Sequence, residues 1–395
     1  MNIRIEKYDN EGRGIGYYNR KIVFVNGVIV GEIVKVKPII EKDKYIICKL
    51  VQIVKPSPIR LNVKCPYYNR CGGCSFMHLS CDEEIRIKEK VIRDLFYRER
   101  LDIPSIKVIN SKNKYNYRNK IKLKVLNGEF GYYDNNSHDF IKIDNCDIAK
   151  DSINNIIKSN DLFKMYNGEI IIRSNYNNEI LIKIISDRSV FVDVDKLILD
   201  NKIVGIVVND KVVYGEEYFI EKVNNYLFKV NIDSFFQVNL DVLEKIEELL
   251  REKELGNVVD LYCGVGTLGM FVKKNNLYGI EVQESSVLNA ISNSKMNKQN
   301  NSYMLGDSSK ISKINDNIDS IIIDPPRSGL SKDTIKNILH IKPNNLIYMS
   351  CNPITFVRDI KILCNLYDIE DFYLLDMFPR TRSIECFVVL RRKKS

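Results

Sequence analysis

Val258-Val259-Asp260-Leu261-Tyr262-Cys263-Gly264-Val265-Gly266-Thr267 is an apolar run that closes in a glycine turn and opens into a helical pattern. It follows an amphipathic stretch, Leu240–Glu254, that predicts a helix. After it, apolar strands alternate with helical segments: a run ending at Tyr278-Gly279-Ile280-Glu281, another at Ile321-Ile322-Ile323-Asp324, then Ile347–Met349 and Cys386–Leu390. That rhythm predicts an α/β, doubly wound, Rossmann-like sheet from about residue 231 to the end.

In such sheets ligands bind beyond the carboxyl ends of the strands. Glu281 ends the second strand, 21 residues after Asp260, where an acid can bind both hydroxyls of a ribose. Gly264-x-Gly266 has no third glycine at the dinucleotide spacing, which disfavours NAD. The loop better fits the adenosine and amino-acid parts of S-adenosylmethionine. Asp307, after the next short strand, could meet the adenine edge, and Asp324-Pro325-Pro326-Arg327 sets an acid at the switch-point cleft. Met349-Ser350-Cys351-Asn352-Pro353 puts a cysteine just past a buried strand that proline terminates, a good place for a nucleophilic thiolate. Taken alone, that cysteine reads as a small buried hydrophobe; its company argues otherwise.

The chain has 395 residues, enough for two or three domains. Residues 1–125 carry 27 Lys+Arg against 13 Asp+Glu, a net of +14, while the remainder nets −5. This asymmetry suggests a polyanion partner. The N-terminus has no apolar signal core and no run reaches membrane-spanning length, so a cytoplasmic protein with no membrane partner is expected, and no obligate protein partner is evident. Its ten cysteines then read as ligands, catalytic groups or core residues rather than disulfides.

Residues 1–56 predict a small basic β-barrel, with strands at Ile22–Val25, Val28–Lys37 and Tyr45–Val54 and Tyr17 and Tyr18 as stacking surfaces. Residues 57–230 form a central α+β domain. It opens with Cys65-Pro66-Tyr67-Tyr68-Asn69-Arg70-Cys71-Gly72-Gly73-Cys74, a metal-site signal that needs a fourth ligand, with Cys81 and Cys146 as candidates. Iron–sulfur and zinc both fit that spacing, whereas three histidines (His78, His138, His340) disfavour a His-based site. Asp82–Arg100 predicts a helix. In the following strand Ile121, Leu123 and Val125 alternate with Lys120, Lys122 and Lys124, so one face packs and the other presents three ammoniums to phosphate. Asn127-Gly128 closes its hairpin.

Methylating uracil at C5 requires a thiolate that adds to C6, a base that removes the C5 proton, and a methyl-donor site. The chain offers Cys351, Glu385 and the Asp260–Glu281 nucleotide site. Such a cysteine needs a lowered pKa, and Arg327, Arg380 or Arg382 could supply the charge. The combined set resembles the bacterial RNA 5-methyluridine methyltransferases, in the TRAM-domain, iron–sulfur branch that acts on 23S rRNA. The resemblance covers essentially the whole chain. It is carried by the N-terminal barrel, Cys65/Cys71/Cys74 with Ile143–Cys146, Ser234–Asn239, Asp260–Thr267, Asp324–Arg327, Ser350–Pro353 and Met377-Phe378-Pro379 with Ile384-Glu385.

The resemblance implies that Cys351 is the nucleophile and Glu385 the base. It implies that Cys146 joins Cys65, Cys71 and Cys74 around a [4Fe–4S] cluster, and that Gln237, Tyr262, Thr267, Glu281, Asp307 and Asp324 line the S-adenosylmethionine pocket. The target uridine is expected to flip out of its RNA context. Thr267 stands where an asparagine is common in the family, and Ser383 where histidine is frequent. A cytosine-C5 enzyme would carry a second motif cysteine after the Pro-Pro pair, and an adenine-N6 enzyme an aromatic; here Arg327 follows. A silent RNA-binding assembly factor is at odds with intact Cys351, Glu385 and the glycine loop.

Overall fold

A computed structural model describes residues 1–68, 70–134 and 139–394; Asn69 of the cysteine stretch and His138 lie outside the described residues. The chain divides into two compact units. One comprises Met1–Leu95, Gly131–Ile143 and Phe378–Ser383; the other comprises Phe96–Phe130, Asp144–Met377 and Ile384–Ser395.

The first unit holds the expected small barrel. Asn2–Arg4 pairs antiparallel with Ile33–Lys35, and Lys7–Tyr8 pairs with Gly14–Ile15, so one bent segment joins both ends of the sheet and closes it. Gly14 and Gly16 are required where that segment crosses: a Cβ on Gly16 would lie 2.3 Å from Ile3 Cγ2 and 2.5 Å from the Arg4 carbonyl. The interior is Ile3, Ile5, Val23, Val25, Val34 and Ile46, each contributing roughly 1.5–3 kcal/mol on burial. Tyr17 and Tyr18 stay exposed.

One strand differs from expectation. The segment read as Val28–Lys37 becomes a strand only at Ile33. Gly31 takes a left-handed φ of 91°, and the buried Glu32 carboxylate turns back to accept the Ile29 N–H and the Arg60 guanidinium. A buried acid needs such partners, and meeting that need breaks the strand. The helix runs Cys81–Arg98.

In the second unit, Lys120–Leu126, Asn167–Ser174, Ile180–Ile185, Ile203–Val208 and Lys211–Gly215 form consecutive neighbours in a sheet. Asn127 and Gly128 take φ of 51° and 80°, as the Asn-Gly hairpin requires. Ile121, Leu123 and Val125 are buried as expected. The opposite face does not present three free ammoniums. Lys122 and Lys124 both pair with Glu169 on the adjoining strand. Burial beside Arg173 and Arg118 pushes Lys120 down to about 8.

The larger sheet has the order Ser302–Leu305, Asn276–Glu281, Asn257–Leu261, Ser320–Ile323, Asn345–Ser350, Glu385–Arg392, Tyr367–Leu375, Ile106–Ile109. The first five strands are parallel; Glu385–Arg392 runs antiparallel between Asn345–Ser350 and Tyr367–Leu375. Asn257–Leu261 pairs with Asn276–Glu281 on one side and Ser320–Ile323 on the other, so strand order reverses there and a crevice opens at its carboxyl end. Among the described residues, no helix is long and apolar enough to cross a membrane.

Candidate active site

The glycine loop is held from below. Asp260 is buried and its Oδ2 accepts the Gly269 N–H at 3.0 Å; burial raises its pKa to about 8. Tyr262 takes a left-handed φ of 61°, uncommon for a non-glycine residue, and its hydroxyl lies 3.0 Å from Ser308 Oγ. Gly266 follows at φ 85°, where an added Cβ would strike Tyr303 Oη at 2.6 Å. Gln237, Tyr262, Thr267 and Asp324 line one narrow pocket together with Asp260 and Phe235. Gln237 Nε2 donates to Asp324 Oδ2 at 3.4 Å.

Glu281 and Asp307 are not among those lining residues. Glu281 Oε1 accepts the Val282 and Gln283 N–H groups at 2.9 Å each, and Oε2 accepts Gly264 N–H at 3.0 Å. Its Oε1 is therefore filled, and only Oε2 has room for a further donor, so the carboxylate can take one ribose hydroxyl rather than two. Asp307 lies beyond Ser302–Leu305 and accepts Ser309 N–H at 2.8 Å.

Cys351 follows Asn345–Ser350, and Glu385 opens its antiparallel neighbour. Ser350 pairs with Cys386, so the register carries Cys351 and Glu385 to the same end of the two strands, beside Asp324 at the end of Ser320–Ile323. The electrostatics overturn the expectation of a lowered thiol pKa. Burial, then the Glu385 and Asp324 carboxylates, push Cys351 up to about 11, and Arg327 only partly offsets them. Asp324 is raised to about 7 by burial. Glu385 is 2% exposed and lies well above the carboxylate range, first through burial and then through Asp324. The resting site thus holds a thiol facing two acids whose proton affinities are raised. Of the three candidate arginines, Arg327 belongs to the same unit as Cys351 and its charge lowers the thiol pKa. Arg380 donates to the Leu79 carbonyl at 2.8 Å and to Cys81 Sγ at 2.9 Å, and Arg382 lies 3.5 Å from Glu11.

The cysteine stretch folds as a tight turn in which Cys71 N–H donates to the Tyr67 carbonyl and Gly72 takes φ 71°. A Cβ on Gly73 would stand 3.5 Å from Cys71 Sγ, an ordinary contact. Cys65, Cys71 and Cys74 belong to the first unit and Cys146 to the second. Among the described residues, no group of three or more His, Cys, Asp or Glu side chains is arranged to hold a metal ion.

Some residues that shape the site carry no motif signal. Asn119 donates its N–H to Val238 O and its Nδ2 to Gln237 O, both at 3.1 Å. Arg173 Nη1 donates to three carbonyls, Asn231, Ile232 and Ser234. Together they clamp the segment that carries Gln237. Asn352 was readable, because an asparagine before proline at a helix start is a capping signature. It caps Pro353–Leu363 by accepting Ile354 N–H at 3.1 Å.

With this geometry in hand, the chain was compared with known proteins. Residues 1–44 match the TRAM domain, residues 239–346 the methyltransferase small domain, and residues 307–393 the tRNA (uracil-5-)-methyltransferase family. An uncharacterised RNA methyltransferase of Clostridium acetobutylicum is 30% identical over 445 residues, covering 99% of this chain and 96% of that one. Another from Aquifex aeolicus is 29% identical over 422 residues, covering 100% and 99%. The crystal structure of Pyrococcus abyssi tRNA (uracil-54, C5)-methyltransferase with S-adenosyl-L-homocysteine matches at a TM-score of 0.79 and 23% identity, covering 99% of this chain and 100% of that one.

Proposed function

The chain belongs to the RNA methyltransferase family, in its S-adenosylmethionine-dependent uracil-5 branch, and from that premise we propose that it methylates C5 of a uridine in 23S rRNA with Cys351 as nucleophile and Glu385 as base. The observation that supports the reading is the strand register Ser350↔Cys386, which brings a thiol and a buried carboxylate to one end of two neighbouring strands, close enough to Asp324 of the pocket for its charge to act on both.

S-adenosylmethionine, bound by those residues with Glu281 and Asp307 at the nucleoside end, supplies a methyl group on a positively charged sulfur. Cys351 Sγ gives its proton to solvent and adds to uracil C6, forming the S–C6 bond while the C5=C6 π pair moves to leave C5 as the nucleophilic carbon of an enolate. C5 would take the methyl group as its bond to the sulfonium sulfur breaks, and S-adenosylhomocysteine would leave. Glu385, as carboxylate, removes the C5 proton; that electron pair restores the C5=C6 double bond and expels the Cys351 thiolate. The buried setting raises both proton affinities, so ionising the Cys351 thiol is a costly step of the reaction, and a cation near the sulfur would favour it.

A 23S rRNA substrate, in the cytoplasm, is supported by the basic N-terminal third and by the family resemblance. A second reading, a tRNA uridine, is favoured by the whole-chain likeness to the P. abyssi protein named for tRNA uracil-54. A metal site on Cys65, Cys71 and Cys74 is proposed from the cysteine spacing, and the [4Fe–4S] cluster with Cys146 as fourth ligand from the family resemblance; the reaction above uses none of it.

The deciding experiment measures 5-methyluridine by mass spectrometry in ribosomal and transfer RNA from a strain lacking this gene, then adds the purified enzyme back. Loss at a 23S rRNA position, restored in vitro, supports the proposal. Loss only in tRNA keeps the chemistry and moves the substrate. Unchanged 5-methyluridine together with an inactive purified enzyme overturns it.

A further inference from the structure

Pro353–Leu363, the helix that follows the Cys351 turn, grips the loop after Asp324 along its whole length. Asn352 Nδ2 donates to the Arg327 carbonyl at 2.8 Å and Thr355 Oγ1 to the same oxygen at 3.1 Å. Arg358 Nη2 donates to the Ser328 and Leu330 carbonyls, both at 3.1 Å. Asp359, fully buried, accepts Leu330 N–H at 2.9 Å and the Tyr348 hydroxyl at 2.8 Å. Gly329 at φ 73° is obligatory there, since a Cβ would lie 2.6 Å from Asp359 Oδ2. Two hydrogen bonds thus tie the Arg327 carbonyl to Asn352 and Thr355 beside Cys351, and three more hold Ser328 and Leu330 to the same helix.

The side chain of Arg327 is treated differently. It is exposed, and among the described residues its guanidinium makes no hydrogen bond or ion pair. A chain that fixes an arginine's backbone this firmly and gives its charge no partner keeps that charge for something else. The groups acting on the Cys351 sulfur are the Glu385 and Asp324 carboxylates and the Arg327 cation, with Cys386 beside them on the antiparallel strand. The two cations on the helix after Cys351 are both paired, Arg358 with Asp359 and Lys361 with Glu99, each at 2.7 Å.

We propose that Arg327 is the residue that stabilises the Cys351 thiolate as it forms, held at the nucleophile by Asn352 and Thr355. The inference rests on the reading of Cys351 as the nucleophile. The role is electrostatic: Arg327 takes no proton and forms no bond to substrate, and its charge offsets the two carboxylates that oppose ionisation of the thiol. Arg327 is therefore a positioning residue for charge at the sulfur, and its guanidinium is screened by salt because it is exposed.

The test is iodoacetamide alkylation of Cys351 in the RNA-free full-length enzyme, followed peptide by peptide by mass spectrometry because the chain has ten cysteines. The rate should be read across pH for wild type, R327Q and R327K. Removing the charge should slow alkylation at any given pH by about three- to tenfold at low salt. R327K should recover most of the rate. Raising salt from about 0.02 M to about 0.5 M should narrow the gap between wild type and R327Q. Wild-type alkylation in R327Q, or equal slowing in R327K and R327Q, would overturn the proposal. The assay reads the thiol whether or not the enzyme methylates RNA. If C351A still methylated RNA, the functional reading would fail while the alkylation result stood.

Discussion

Cys351 and Glu385 stand one residue beyond the last paired residues of two antiparallel strands, Ser350 and Cys386, and the charge of one raises the proton affinity of the other. A nucleophile and a base set this way can act on adjacent carbons of one flat ring, C6 and C5. Addition and elimination are then separable by mutation. E385Q should keep addition and methyl transfer but lose proton removal, so a covalent protein–RNA adduct should accumulate and survive denaturing electrophoresis. C351A should show neither adduct nor product. An E385Q enzyme that turns over normally would remove Glu385 from the base role.

The pH response follows from the raised values. Cys351 near 11 and Asp324 near 7 are both protonated at low pH, and Glu385 lies well above its ordinary range. Both the nucleophile and the base must be unprotonated when they act, so kcat/KM should rise with pH from about 6 to about 9. Asp324 opposes ionisation of Cys351 and Glu385, so D324N should alkylate at Cys351 several-fold faster than wild type at pH 8 while losing methylation. Slower alkylation in D324N would contradict this electrostatic ordering.

Glu281 offers an uneven carboxylate, with Oε1 filled by two N–H groups and Oε2 by one. E281Q would turn an amide N–H₂ toward a backbone N–H, costing an acceptor and adding a donor clash. Charge-assisted hydrogen bonds contribute about 1.5–3 kcal/mol, so calorimetry should find S-adenosylhomocysteine bound roughly 10- to 100-fold more weakly. Unchanged affinity would place the nucleoside elsewhere.

His78 is buried in the first unit, 2.6 Å from the Tyr68 hydroxyl, and burial with the Arg60 charge lowers its pKa to about 4. Between its ordinary 6.5 and about 4, the unfolded chain carries a proton that the folded chain does not. The stability this contributes is complete above 6.5 and is lost as pH falls through that window, at most about 3 kcal/mol. Wild type should therefore lose melting temperature more steeply between pH 7 and 5 than H78N does. Parallel slopes would rule out this titration.

The cysteine reading predicts about four iron and four sulfide per chain after anaerobic purification, with visible absorbance near 400 nm that C71A and C74A abolish. Zinc at about one per chain would select the other ligand chemistry that the spacing allows. Neither metal would leave Cys65, Cys71, Cys74 and Cys146 without the assigned role.

The catalytic sheet was legible because its signals are local. A strand, a Gly264-x-Gly266 turn and a helix start lie within Val258–Thr267, and Asp324, Cys351 and Glu385 each adjoin an apolar strand. The buried alternation of Ile121, Leu123 and Val125 was legible for the same reason, since period-2 patterning needs no knowledge of the partner strand. Its polar face was misread, because Glu169 lies 45 residues from Lys124 and only sheet register brings them together. Glu32 likewise looked like a strand residue until Arg60 arrived beside it.

The amino-acid sequence by itself therefore determined the doubly wound sheet, the barrel at the N-terminus, and which thiol, carboxylates and glycine loop could meet at the crevice. Tertiary structure alone decided that Glu385, Asp324 and Arg327 act together on the Cys351 thiol, that burial raises its pKa, and that one oxygen of Glu281 is already filled. The division has one physical cause. Secondary structure and turn chemistry depend on neighbours in the chain, whereas desolvation and charge–charge interaction depend on distance in space, which no spacing in the sequence encodes.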